Sequence, residues 1–287
     1  MSATSALFSV GLAGTILGVH TAARTPSELR FLLVRAVDQA NQPVIGIQPE
    51  DFTVKNVDTS CDVVAVTPAS YPVALVLDTS TNARADFQTV RASVARFVDR
   101  VAPRAFAIYT SGTPASRVQE LTSDRKRILR AVSGTFAAPN SATHSLETVL
   151  RAARDFGRAN LPIAAVVVVS SGGNEMSPPP GAQVLPALIA SHTILHVVER
   201  RSLRLEHGTL QRDDSAVFEA LAADTHGVYV RGAGASVYAS GLDAIVQQLD
   251  AEVVVTYEVP SGAPQAVNVR VRPPGIVVMA VPIDRAQ

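Results

Sequence analysis

The chain has no tryptophan, only one cysteine, few aromatic residues and no excess of charge of either sign. Each shortage excludes something. With Cys61 alone, no intrachain disulfide can close and no cysteine-based zinc site can be assembled. Lys+Arg 25 against Asp+Glu 25, with no basic run, removes nucleic acid and anionic lipid from the expected partners. The spaced catalytic signatures are missing too: there is no Gly-x-x-x-x-Gly-Lys phosphate loop, no Gly-x-Ser-x-Gly elbow and no His-Glu-x-x-His helix. The six histidines are scattered, and His192 and His196, four apart, flank a strand-like run where that spacing defines no common face. No apolar run reaches the roughly 20 residues that a permanent membrane helix needs.

What is present is a well-filled apolar chain: 47% hydrophobic and 17% charged over 287 residues, enough for one sizeable core and a smaller satellite. The most informative stretch is residues 71–84, Tyr-Pro-Val-Ala-Leu-Val-Leu-Asp-Thr-Ser-Thr-Asn-Ala-Arg. Residues 73–77 are apolar without alternation, the pattern of a strand buried on both faces in a parallel sheet. Asp78, Ser80 and Asn82 follow at alternate positions, and a helical pattern starts near Phe87. Such a strand, ending in spaced oxygen donors and turning into a helix, sets those donors at the carboxyl edge of a sheet, where open α/β folds keep their sites. Mg2+ or Mn2+ takes oxygen ligands of this kind. The same residues also suit a plainer role, Asp78 capping its own turn with Ser80 and Asn82 satisfying nearby backbone groups.

Along the chain, residues 6–19 followed by Thr21-Ala22-Ala23 look like a signal-peptide core and cleavage site, without a basic start. Short β runs with turn residues occupy the segment to about residue 68. Helical and strand patterns then alternate. Helical spacing joins Val90, Val94, Phe97 and Val101, and later Leu146, Val149, Ala153 and Phe156; strands are expected at 105–109, 117–121, 163–169, 193–198 and 228–230. Strands alternating with helices imply right-handed crossovers and a doubly wound, mostly parallel sheet. After residue 251 the pattern returns to β. The expected division is a signal peptide at 1–23, a β segment at 24–69, an α/β domain at 70–251 and a C-terminal β hairpin region at 252–287 packing with 24–69 into one small β module.

Leu-Asp-Thr-Ser-Thr-Asn after an apolar strand resembles the first loop, Asp-x-Ser-x-Ser, of the metal-ion-dependent adhesion site (MIDAS) of von Willebrand factor type A (VWA) domains. The β segment reading Val-Asp-x-x-x-x-Pro-Val and Pro-Glu-Asp-Phe-Thr-Val, with the Tyr-x-Val-Pro and Pro-Gly-Ile-x-Val tail, is similar to the exported bacterial "VWFA-related" proteins of acidobacterial type. The resemblance implies a Rossmann-like fold and three loops converging on one ion. It assigns Asp78, Ser80 and Asn82 to the first loop, Thr143 (or Ser141) to the second, and Ser171 to the third. The family's third-loop aspartate is replaced by Ser171, and Asn82 replaces the last serine, so the implied site is degenerate. Asp78, Ser80 and Thr143 remain the metal donors; Glu175 is the nearest carboxylate beyond the third loop.

Function expected on this basis is a non-enzymatic module, secreted or held in the periplasm or cell envelope, that binds a protein or surface ligand. One alternative is a structural component of an envelope assembly with no metal. Another is an aspartic-type peptidase, because apolar-Asp-Thr-Ser also resembles that family's turn; this chemistry needs a second carboxylate sharing a proton, and no second such turn occurs.

Overall fold

The computed structural model describes residues 26–40, 42–173, 175–177, 181–201, 215–272 and 274–283. The signal peptide expected at 1–23 lies outside the described residues. Two six-stranded sheets organise the remainder.

The first is the sheet of an α/β unit. Its strands are β4 (Val73–Leu77), β5 (Phe106–Thr110), β6 (Ser116–Thr122), β7 (Ala164–Ser170), β8 (Thr193–Arg200) and β9 (Tyr229–Gly232), in the order β6-β5-β4-β7-β8-β9. All neighbours pair in parallel except β6, which runs antiparallel to β5 at one edge and makes the sheet mixed. Every residue of β4, β5 and β7 is buried, which is what an apolar run without alternation dictates for a strand covered on both sides.

The pleat divides these strands between two cores. Leu75, Leu77, Ile108, Val167 and Val169 face α1 (Phe87–Arg100), α2 (Arg125–Gly134) and α6 (Ser236–Ala251). Ala74, Val76, Ala107, Tyr109, Val166 and Val168 face α3 (Ser145–Arg158), α4 (Val184–Ala190) and α5 (Ser215–Asp224). Local signals set the helix ends: the Asp124 side chain accepts from the amides of Lys126 and Arg127 at 2.9 and 3.2 Å and starts α2.

The second sheet is separate and antiparallel. It takes β1 (Ser27–Val37), β2 (Phe52–Asn56) and β3 (Thr59–Pro68) from before the α/β unit, and β10 (Glu252–Pro260), β11 (Val267–Val271) and β12 (Val277–Ile283) from after it. The order is β11-β2-β3-β10-β1-β12, so β1 lies between two strands from the other end of the chain. One face carries Leu32, Val34, Val54, Val255 and Tyr257 in a core of its own, while Leu33, Val254 and Ile283 join the α/β core beside α6.

A buried polar seam ties the two sheets together. The Arg104 guanidinium donates to the carbonyls of Ala69 (2.7 Å) and Leu249 (3.0 Å) and lies 4.8 Å from the centre of the Tyr71 ring. The Tyr71 hydroxyl donates to Glu252, whose other oxygen accepts from Gln248 Nε2 at 2.8 Å. Burial pushes the Glu252 carboxyl up from its ordinary pKa, so this seam holds only while its hydrogen bonds are complete.

One local conflict marks the β2–β3 hairpin. Its two-residue turn puts Val57 at φ 54°, a left-handed conformation that crowds a β-branched side chain. Val57 is 55% exposed, so nothing in the core holds it there. Val57→Asn is expected to raise the unfolding free energy by about 0.5–1 kcal/mol, read as a higher urea midpoint at unchanged slope.

Candidate functional site

In the sheet order the chain moves outward from β4 through β5 to β6, then returns to the other side of β4 for β7, β8 and β9. The reversal opens a crevice at the carboxyl ends of β4 and β7, and both of the loops that bear candidate residues start there. Asp78 follows β4 directly and Ser171 follows β7. Their loops are laced together: Asp78 N donates to Val169 O at 3.0 Å, and Ser171 N donates to Asp78 Oδ2 at 3.0 Å.

Asp78 is buried, and its other oxygen accepts from Ser80 N at 2.9 Å and, weakly, from Thr143 Oγ1 at 3.5 Å. Thus the capping role and the convergence on one point are both realised by the same carboxylate. Burial pushes the Asp78 carboxyl above the usual carboxylate range, opposed by the donors from Ser80, Ser171 and Thr143. Ser80 Oγ is also buried and faces the carboxylate, yet makes no hydrogen bond of good geometry.

The second loop is fixed by a lattice of small side chains. Ser141 N donates to Thr81 Oγ1 (2.9 Å) while Thr81 N donates to Ser141 O (2.9 Å), and Ser141 Oγ accepts from Thr113 N at 2.8 Å. Ser141, the alternative to Thr143, is therefore a loop fastener, and Thr143 is the residue turned to Asp78. Gly112 completes the lattice: its N donates to Thr79 Oγ1 at 3.0 Å, and a Cβ there would lie 2.4 Å from that same oxygen.

The remaining candidates are placed less directly. Ser171 Oγ accepts from the Tyr238 hydroxyl of α6 at 3.0 Å. Asn82 is half-buried with its amide nitrogen against Gly173, where any Cβ would meet it at 2.0 Å. Glu175 does not reach the crevice: it accepts from Ser145 N at 3.0 Å and from Ser177, and so caps the start of α3. Arg200, at the end of β8, carries no motif in the sequence. Here it donates to the carbonyls of Ser171 (3.2 Å) and Asn82 (3.3 Å) and pairs with Asp86 at 2.7 Å, bracing the first and third loops.

As a donor set for a hard cation, the crevice offers the Asp78 carboxylate, the Thr143 hydroxyl and the poorly bonded Ser80 hydroxyl. These are oxygens of the right kind, with one negative charge among them. No cluster of three or more His, Cys, Asp or Glu side chains that could hold a metal occurs among the described residues, and the groups hydrogen-bonded to Asp78 belong to Ser80, Thr143 and Ser171.

A mixed α/β sheet with its loops gathered over Asp78 at the switch point is the architecture of the VWA domain, and solved structures bear this out. An aerotolerance-related membrane protein from Bacteroides fragilis is 17% identical, with a TM-score of 0.51 over 63% of this chain and 98% of that one. Proximal thread matrix protein 1 from the mussel byssus, in a form with a zinc-occupied MIDAS motif, is 15% identical, with a TM-score of 0.54 over 67% and 48%. A von Willebrand factor type A protein from Catenulispora acidiphila is 12% identical, with a TM-score of 0.53 over 90% of this chain and 73% of that one. No protein-family model and no curated protein matches the sequence.

Proposed function

We propose that this chain is a non-enzymatic VWA-type binding module, exported to the cell envelope or beyond it, that engages a protein or surface ligand through the loops around Asp78, Ser80, Asn82, Thr143 and Ser171. The observation that carries the reading is the meeting of three sequence-distant loops on one buried carboxylate beside an under-bonded hydroxyl. On the same reading the chain divides into a signal peptide (1–23), an α/β domain (70–251) and a β module drawn from 24–69 and 252–287. Export is supported by the fold shared with an aerotolerance-related membrane protein. Among the described residues no helix is long and apolar enough to cross a membrane.

The site is a reduced MIDAS in which Asp78, Ser80 and Thr143 would hold Mg2+ or Mn2+. When bound, the ion supplies an electrophilic contact for an acidic group of the partner. The protein's residues do the rest: Ser171 N and Ser80 N hold the carboxylate in place, Tyr238 and Arg200 hold the third loop, and Asn82 with Gly173 forms the rim. The peptidase alternative has no support, since the groups that hydrogen-bond Asp78 belong to Ser80, Thr143 and Ser171 and include no second carboxylate.

Calorimetric titration tests the metal. Mg2+ or Mn2+ should give a saturable heat that Asp78→Ala and Ser80→Ala both remove. Ser80→Ala deletes a hydroxyl without a well-formed hydrogen bond, so it separates loss of the ion from loss of the fold. Because the Asp78 pKa is raised, affinity should weaken as pH falls into that range and protons compete for the carboxylate. A flat wild-type trace at millimolar ion refutes the metal-bound form and leaves a scaffold role in an envelope assembly.

A further inference from the structure

A second surface lies away from the Asp78 crevice. On the face covered by α3, α4 and α5, helix α3 crosses over β4 and β7, while β6 forms the sheet edge beyond β5. A groove of about 590 Å3 opens between α3 and β6. Its helix wall is Glu147, Leu150, Arg151, Arg154, Asp155 and Arg158, which recur at intervals of three and four and so share one stripe of α3; Ser116 and Arg117 line the strand side.

Four guanidiniums therefore meet two carboxylates in one groove, within a chain whose net charge is zero. The pairing inside is lopsided. Asp155 is shared by Arg117 and Arg158, each at 3.0 Å, and also accepts from the buried Tyr109 hydroxyl at 2.9 Å; Glu120 of β6 reaches Arg117 as well. Arg151 bonds only a carbonyl, that of Ala115 at 3.2 Å, and exposed Arg154 has no acid partner among the described residues. The uncompensated positive charge is thus concentrated on Arg151 and Arg154, one helical turn apart.

We propose that this groove is a docking site for an acidic peptide segment of a partner protein, bound in extended form along α3. The stripe from residue 147 to 158 is about 16 Å long, the length of roughly five extended residues. Carboxylates at alternate positions of such a strand recur about every 7 Å, against axial steps of about 4.5 Å from Arg151 to Arg154 and about 6 Å from Arg154 to Arg158, a difference that the long arginine side chains span. Glu147 and Asp155 within the groove select against a uniformly charged polyanion, whose closely spaced phosphates would face them, whereas a peptide can set a neutral side chain there. Leu150 supplies an apolar contact between the charged positions.

The test is fluorescence anisotropy with a labelled Glu-Val-Glu-Val-Glu-Val peptide at low salt. Wild type should bind it, with affinity falling as salt is raised, and should not bind the Lys-Val counterpart. Arg151→Glu/Arg154→Glu should lose at least about tenfold in affinity, since two attractive contacts are removed and reversal adds repulsion. Chelator should leave this binding unchanged, which makes the outcome independent of the crevice. Equal binding of an oligonucleotide of matched charge, or binding indifferent to the double reversal, overturns the proposal.

Discussion

Gly227→Ala should cost more than about 4 kcal/mol or leave the protein unfolded, the largest effect expected of any single methyl group here. The reason begins at the end of α5. The chain leaves that helix through His226 at φ 61°, with His226 N donating to Ala223 O at 3.0 Å and Gly227 N to Ala222 O at 2.7 Å, the paired bonds of a Schellman close. It must then turn at once toward β9, and Val228, the residue just before that strand, accepts from Val197 N of β8 at 2.8 Å. This forces residue 227 against the buried strand. A Cβ at this position would lie 1.8 Å from Leu195 O and 2.7 Å from its carbonyl carbon. Those are backbone atoms of a strand hydrogen-bonded on both sides, so no flexible side chain can move aside. Gly134→Ala supplies the contrast. A Cβ at residue 134 meets nothing within 4 Å, at the last residue of α2. That variant should be neutral or gain up to about 1 kcal/mol from a less flexible unfolded chain. Urea unfolding of the two variants beside wild type decides the matter; a Gly227→Ala protein within about 1 kcal/mol of wild type would show that β8 and β9 are not packed as described.

How far the sequence leads can be judged from the same elements. The unbroken apolar runs of β4 and β7 announce strands buried on both faces, and the oxygen donors after Leu77 announce a site at their carboxyl ends, because both signals are local. The mixed α/β sheet follows from the alternation of strand and helix patterns, and the edge strand expected at 117–121 is Ser116–Thr122, antiparallel to its neighbour. What was not legible is long-range. Arg200 and Tyr238 brace the third loop from β8 and α6, at sequence distances no short motif spans. Glu175 looks available to the crevice in sequence, yet the uncapped amides at the start of α3 claim it. The arginine stripe of α3 is visible as helical spacing, but only the fold brings Arg117 and the sheet edge to face it.

One residue, His196, should contribute a large loss of stability on acidification. It is fully buried in β8, its Nδ1 accepts from Val228 N at 3.0 Å, and Nε2 has no hydrogen-bond partner. Loss of hydration pushes its pKa down to about 3, and the nearby guanidiniums of Arg35 and Arg104 add to the effect. The folded value lies below the unfolded value of 6.5, so the unfolded chain takes up a proton that the native state refuses. Stability from this group is complete above pH 6.5 and is lost as pH falls toward 3. By pH 4 the loss should be about 3 kcal/mol. Asp78, Glu175 and Glu252 act in the opposite sense. Burial raises their pKa values, so their burden on the fold is relieved as they protonate, and the wild-type profile alone would understate the histidine. His196→Asn isolates it: the amide oxygen can accept from Val228 N, and nothing at the position titrates. The variant should be less stable than wild type at pH 7, from the cavity and lost contacts, yet the gap should close by about 3 kcal/mol between pH 7 and pH 4. Unfolding free energies measured across that range test this directly. Parallel curves for the two proteins would mean that His196 titrates as it does in the unfolded chain, and that the interior around β8 admits a charge.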